Sequence, residues 1–341
     1  MIITSSLQPA VSNAAAIAPT PNCQLAIPKI TIIGAGNVGA SLARCLLSQN
    51  LGHIVLLDIV EGRPQGLALD MSEVQPLEGY SYRITGTNDY QDTAGSQVIV
   101  ITAGLPRKPG MSRDDLLKVN GYIILDVMAQ ALLHSPEAHF ILVTNPLDVM
   151  TYLAWQVSGL PPSRVLGQAG ILDSARFRTF IARALDVPPQ DISTMVLGGH
   201  GDLMVPLISY TTVSGIPLAD LMPAKHIQQL VERTRQGGAE IINYLKTGGA
   251  FYAPAAATAT MVAAIVQNQS AILPVSAYLE SQYGLNDIYL GVPCRLNSNG
   301  VADVVELSLT QDEQMALAAS AQAVKKTLQR ALSLFAVTRS T

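Results

Sequence analysis

Short apolar runs alternate with longer helical patterns through the first half of the chain. Lys29–Ile33 (KITII) and residues 54–57 (IVLL) are β-branched or Leu-rich runs of strand length, separated by a helical pattern from about 38 to 49. A polar stretch to Asp92 follows, and then residues 97–102 and 139–144 supply two more candidates for buried strands. Between them, residues 112–133 read as an amphipathic helix, opened by Ser112 with Asp114 and Asp115 in its first turn. Strands bounded by helices in this order predict βαβ units and a parallel sheet.

The pattern changes in the second half. Helical periodicity runs through residues 174–185, 224–245 and 255–266. Residues 276–279, 288–293 and 301–309 alternate like an antiparallel meander, before a final helix from 312 to about 334. No linker marks the change, and the boundary is placed near residue 165. The expected organisation is a tail over 1–28, a first domain over 29–165 and a second over 166–338.

Composition narrows the partners. Of 341 residues, 49% are hydrophobic and only 13% charged, which asks for a thick α/β interior, an oligomer that hides further surface, or both. A net charge of -4 gives no electrostatic reason for nucleic acid or an anionic membrane, whereas a local arginine cluster can still bind a small anion. Cys23, Cys45 and Cys294 are odd in number and widely spaced, which points to a reducing compartment without a disulfide framework. The five histidines show no paired-ligand spacing, so no metal is expected. Residues 1–28 contain no Lys, Arg, Asp or Glu, unlike a secretory signal or a mitochondrial presequence; a cytoplasmic protein is expected. The uncharged run 247–279 is broken by Pro254, Pro274 and Gln267-Asn268-Gln269, so a small-residue helix buried in a core or subunit interface is expected there, not a membrane span.

Gly34-Ala35-Gly36-Asn37-Val38-Gly39 is a G-x-G-x-x-G between a strand candidate and a helix. The first glycine permits the turn, the second lets the backbone approach a pyrophosphate, and the third lets helix and strand pack, with helix-start N–H groups facing the anion. Alone the motif is weak. Asp58, 19 residues beyond Gly39 at the end of the second strand, adds a carboxylate that can accept ribose hydroxyls and repel a 2′-phosphate. Together they predict a Rossmann-type doubly wound sheet binding NAD rather than NADP, although Arg63 is a nearby cation. A glycine turn with a capping Asp is the bland alternative.

Three further segments carry chemistry. His200 sits in Leu197-Gly198-Gly199-His200-Gly201-Asp202, a glycine-flanked turn from which an imidazole can project as a general base near pH 7. Asp173 and Arg176, three apart, share one face of a helix, so that one can orient the histidine while the other clamps a carboxylate. Read alone, the pair is equally a surface ion pair. Residues 103–113 (AGLPRKPGMSR) place three cations in a Gly/Pro-rich loop between strand and helix, either a lid over an anion or a solvated basic loop.

These motifs, joined by VTNPLD at 143–148, LDSARFR and GGHGD, occur in an order that resembles the lactate/malate dehydrogenase family from about residue 29 to 335. The resemblance implies an α+β substrate domain after the Rossmann unit. It implies His200 as proton acceptor, Asp173 as its orienting carboxylate, and Arg176 as the clamp on the substrate's C1 carboxylate. Arg113 is implied to swing in on lid closure and polarise the reacting C–O bond. Asn145 is implied to touch both substrate and nicotinamide region, with Thr102, Ala103, Gly104, Asn120 and Val143 lining the cofactor site. At the position of Arg107 an uncharged Gln resembles lactate enzymes and an Arg resembles malate enzymes. A guanidinium there can hold oxaloacetate's second carboxylate bidentately, whereas pyruvate would leave it unpaired; a site built on such pairing can discriminate by roughly 10⁴ or more. The expected activity is NAD-dependent interconversion of (S)-malate and oxaloacetate by a homodimer or homotetramer, without nucleic-acid or membrane partners. Lactate dehydrogenase, an NAD-binding module without catalysis and an NAD-requiring glycosidase remain the alternatives.

Overall fold

A computed structural model describes residues 27–106 and 111–335. Arg107 and the first 26 residues of the expected tail lie outside the described residues. Six parallel strands form the first half of the chain: β1 (Lys29–Ile33), β2 (His53–Leu57), β3 (Ile84–Thr87), β4 (Val98–Ile101), β5 (His139–Leu142) and β6 (Val165–Gly167). Helices α1 (Asn37–Ser48), α2 (Arg63–Glu78), α3 (Arg113–His134) and α4 (Leu147–Ser158) connect them. The strand order 3-2-1-4-5-6 is that of a doubly wound dinucleotide-binding sheet. Alternate residues of the strands feed two cores. Ile30, Ile32, Val98 and Val100 pack on the α1 side, while Ile33, Ile99, Ile101 and Leu142 pack on the α3 and α4 side. Burial on both faces explains why these strands read as continuous apolar runs.

After β6 come α5 (Gly170–Leu185) and five two-residue strands: β7 (Ile192–Ser193), β8 (Val196–Leu197), β9 (Val205–Pro206), β10 (Thr212–Val213) and β11 (Ile216–Pro217). Then follow α6 (Leu218–Leu221), α7 (Ala224–Leu245), α8 (Tyr252–Val266), β12 (Ala271–Leu279), β13 (Ile288–Asn297), β14 (Gly300–Val304) and α9 (Gln311–Phe335). The expected meander exists, and it extends the parallel sheet: β12 pairs with β6 through Ser276 and Gly167, giving nine strands in all. A third core, including Phe177, Ile181, Val196 and Val231, ties α5 and α7 to the small strands.

The polar stretch before Asp92 needs correction, because it contains α2 and β3. Within α2 only Pro64, Ala68 and Met71 are buried, and Gly66 and Pro76 interrupt it, so no apolar stripe is legible. β3 becomes a strand by pairing with β2, Ile54 opposite Ile84, more than by its own composition. The expected strand over 301–309 is also too long. It stops at Val304, because β14 is a sheet edge and the following backbone finds other acceptors and donors. Val305 N–H reaches Pro293 O, and Leu307 N–H reaches the Tyr283 hydroxyl. The run 247–279 resolves into the buried 15-residue helix α8 and strand β12. Among the described residues one helix, α3, is long and apolar enough to cross a membrane. Its Leu117, Ile124, Val127, Met128 and Ala131 are buried within the core shared with α4.

Candidate active site

The glycine loop joins β1 to α1 at the carboxyl ends of the parallel strands, beside the point where strand order reverses between β1 and β4. That crevice is where doubly wound sheets bind ligands. Gly34 has φ +111°, and a Cβ there would stand 2.7 Å from Thr102 Oγ1. A Cβ on Gly39 would stand 1.9 Å from Gly34 O, so the third glycine is demanded by helix–strand contact. A Cβ on Gly36 would meet no atom within 4 Å. Only this glycine faces open space, as a position reserved for a pyrophosphate must. Asn37 and Val38 begin α1 immediately after it. The residues present therefore fit a dinucleotide.

The supports of the loop come from neighbouring strand ends. Asp58 accepts the N–H groups of Ala35 (2.6 Å) and Val60 (2.9 Å), tying the tip of β2 to the loop. Thr102 Oγ1 donates to Gly34 O at 2.9 Å, and Thr144 Oγ1 donates to Ala103 O at 2.6 Å. Arg63 Nε donates to the Ala35 carbonyl at 2.7 Å, so this cation, at the first position of α2, is part of the loop's frame. Val143 N–H continues the β4–β5 ladder to Ile101 O, just below Gly104. Asn120 is buried on α3, with its side chain committed to backbone: Leu105 N–H and O at 2.8 and 3.2 Å, and Asn145 O at 2.7 Å. It ties Leu105 to the Asn145 loop.

The chemical cluster lies beyond these loops. Asp173, in the first turn of α5, is 2% exposed and binds His200 Nδ1 at 2.8 Å. Arg176, one turn along, approaches the same carboxylate at 3.4 Å. Its aliphatic stem crosses α7 at Gly237, where a Cβ would stand 2.2 Å from Arg176 Cδ. A fully buried carboxylate without partners is costly, and here both oxygens are matched to cations or donors. Burial pulls the His200 pKa down most strongly, but the charge and hydrogen bond of Asp173, with the charge of Asp148, outweigh it and leave the pKa above its usual 6.5.

The spacing arguments thus bring His200, Asp173 and Arg176 together, whereas Arg113 stands apart. It begins α3, is 82% exposed, and its guanidinium lies 4.0 Å from Asp202, itself 90% exposed. Such an exposed pair is weak and easily exchanged. Arg113, Asn145 and His200 nevertheless line one cavity of about 560 Å³, together with Val324 and Thr327 of α9. Among the described residues no group of three or more His, Cys, Asp or Glu could hold a metal ion.

Several residues that the sequence did not single out also hold the site. Asp148, the second residue of α4, accepts His200 N–H at 3.0 Å and Ser276 Oγ–H at 2.7 Å. Ser320 of α9 accepts Gly199 N–H at 2.9 Å. Asp148 falls within VTNPLD, so its position was visible; its target on the other side of the fold was not.

Two family models match this arrangement: lactate/malate dehydrogenase, NAD binding domain, over residues 28–167, and lactate/malate dehydrogenase, alpha/beta C-terminal domain, over 171–334. A curated malate dehydrogenase of Nostoc punctiforme is 56% identical over 319 residues, covering 93% of this chain and 98% of the relative. A solved malate dehydrogenase of Cryptosporidium parvum superposes with TM-score 0.88 at 42% identity, covering 90% of this chain and 99% of that one. The lactate dehydrogenase of the same organism, solved with lactic acid and NAD, gives 0.87 at 42%, covering 89% and 98%. With a glycine loop that fits a dinucleotide, a carboxylate-oriented histidine beside a mostly enclosed arginine, and both halves matched in order, the chain belongs to the lactate/malate dehydrogenase family.

Proposed function

We propose that the chain catalyses the NAD-dependent, reversible oxidation of (S)-malate to oxaloacetate. The observation that carries it is the 2.8 Å His200–Asp173 pair with Arg176 on the same carboxylate, His200 lining a cavity shared with Asn145 and Arg113. Curated relatives named malate dehydrogenase at 53–58% identity support the choice of substrate. Similarity of fold supports it less, because the two Cryptosporidium enzymes resemble this chain almost equally. That near-equality also keeps lactate as the second reading, with Arg107 as the discriminator.

NAD, held by the Gly34–Gly39 loop and Asp58, supplies the hydride acceptor when bound. Asp173 accepts the hydrogen bond of Nδ1–H, which keeps the proton on Nδ1 and leaves Nε2 as the basic nitrogen of His200. Nε2 accepts the hydroxyl proton of malate as the C2 hydride departs, and returns it when oxaloacetate is reduced. The imidazolium so formed is stabilised by Asp173. Arg176 holds the C1 carboxylate, Asn145 orients the substrate, and Arg113 leaves Asp202 to meet the carbonyl oxygen as the lid closes. Arg107 then takes the second carboxylate. We also propose the division near residue 165, a cytoplasmic location and a homodimer or homotetramer; free Cys45 and Cys294 and the large apolar fraction support the last two.

Steady-state rates on oxaloacetate and pyruvate test the assignment. Oxaloacetate should have the higher kcat/KM, and an equal or higher value for pyruvate would overturn it. A second test concerns Arg176. Gly237→Ala should push its stem aside and raise the KM for oxaloacetate roughly tenfold or more, since misplacement by about 1 Å can cost 10²-fold. An unchanged KM would remove Arg176 from the carboxylate site.

A further inference from the structure

His200 is held at two levels. Asp173 on α5 fixes the ring, and a separate set of contacts fixes the backbone. Three successive N–H groups of its loop are each taken by a different element. Gly198 N–H donates to Gly291 O of β13 (2.8 Å), Gly199 N–H to Ser320 Oγ of α9 (2.9 Å), and His200 N–H to Asp148 Oδ2 of α4 (3.0 Å). The second of these acceptors is a neutral hydroxyl. Hydrogen bonding alone therefore does not ask for a carboxylate at the third. Burying one is costly unless its charge is used.

We propose that Asp148 is a positioning residue of the proton relay: it clamps the His200 backbone and its negative charge holds the proton on the imidazole. The proposal rests on His200 being the proton acceptor. Three features favour the ionised form of the Asp148 carboxylate against its burial. Ser276 Oγ–H donates to Oδ1, His200 N–H donates to Oδ2, and the residue lies in the first turn of α4, where the helix favours negative charge. Burial raises the pKa of Asp148 above the usual carboxylate value, and those contacts, with the charge of His200, partly offset it.

The charges facing the imidazole make the same point. Asp173 and Asp148 are negative and Arg176 is positive, so the set is neutral only when His200 carries a proton. On the cavity side Arg113, Lys326 and Arg330 face Asp114 and Asp202, with Arg330 3.4 Å from Asp114 and Arg113 4.0 Å from Asp202. Asp148 thus supplies the second negative charge that offsets Arg176. It acts through His200 and need not touch substrate.

The Asp148→Asn substitution separates the two roles. Its amide oxygen can still accept His200 N–H while its NH₂ donates to Ser276 Oγ, so the clamp survives and the charge is lost. Oxaloacetate reduction needs the imidazolium, so kcat/KM plotted against pH falls through the His200 pKa, which lies above 6.5 in the wild type. In Asp148→Asn that midpoint should move down by roughly half a unit or more, and the rise of malate oxidation should move with it. Asp148→Ala loses the clamp as well and should lower kcat by roughly tenfold to 10²-fold, with the Kd for NADH within about twofold of wild type. An unshifted midpoint in Asp148→Asn overturns the proposal, and this arm stands even where Asp148→Ala does not fold. Substantial turnover by His200→Asn would instead sink the relay itself. An inactive His200→Asn beside an unshifted Asp148→Asn would leave the relay intact and sink only the role of Asp148.

Discussion

Replacement of His200 by Asn is expected to lower kcat roughly 10²- to 10⁴-fold, the range that a positioned general acid–base contributes. Asn fills much the same space and can keep a hydrogen bond toward Asp173, but it has no nitrogen that accepts a proton near neutral pH. NADH binding should survive, because the glycine loop takes its support from Asp58, Thr102 and Arg63. Titration of NADH fluorescence alongside single-turnover kinetics distinguishes the cases. Lost NADH binding would mean that His200 holds the architecture, and retained turnover would mean that another group moves the proton.

The second large effect is expected at Arg107. Arg107→Gln should lower kcat/KM for oxaloacetate by roughly 10³-fold or more and raise relative activity on pyruvate, because loss of a carboxylate partner leaves the substrate's second charge unpaired. The segment that carries Arg107 is anchored at both ends. Leu105 is bonded to Asn120 through both its N–H and its carbonyl, and Ser112 and Asp115 form a reciprocal cap at the start of α3. A substitution between those anchors changes what the lid presents without disturbing how it is attached. If the oxaloacetate-to-pyruvate ratio stays unchanged, Arg107 does not read the second carboxylate.

The resemblance to the family rested on short motifs whose meaning is local. G-x-G-x-x-G needs one strand, one turn and one helix, all contiguous in sequence, and the structure forms them where the pattern placed them. The spacing of Asp173 and Arg176 is likewise a property of one helix. Elements went unread where neighbours decide. α4, buried along most of its length, shows no amphipathic period, and α2 buries too little to show one. The resting contact of Arg113 was likewise not legible: it lies 4.0 Å from Asp202, a pairing between the start of α3 and the His200 turn.

Long-range partners were beyond any one-dimensional pattern. Asp148 and His200 are 52 residues apart, Asp148 and Ser276 are 128 apart, and Gly199 and Ser320 are 121 apart. Hydrogen bonds of this kind leave no periodic trace, since each needs one donor and one acceptor brought together by the whole fold. By itself the sequence determined the βαβ framework and the cofactor loop, and through the family resemblance it nominated His200 as the acid–base group and Arg107 as the reader of a second carboxylate. The framework and the loop depend on residue type and on spacing within single elements. Only the tertiary structure decided how His200 is held, because its ring and its backbone N–H are fixed by carboxylates on two helices, and its loop by acceptors on a strand and a third helix.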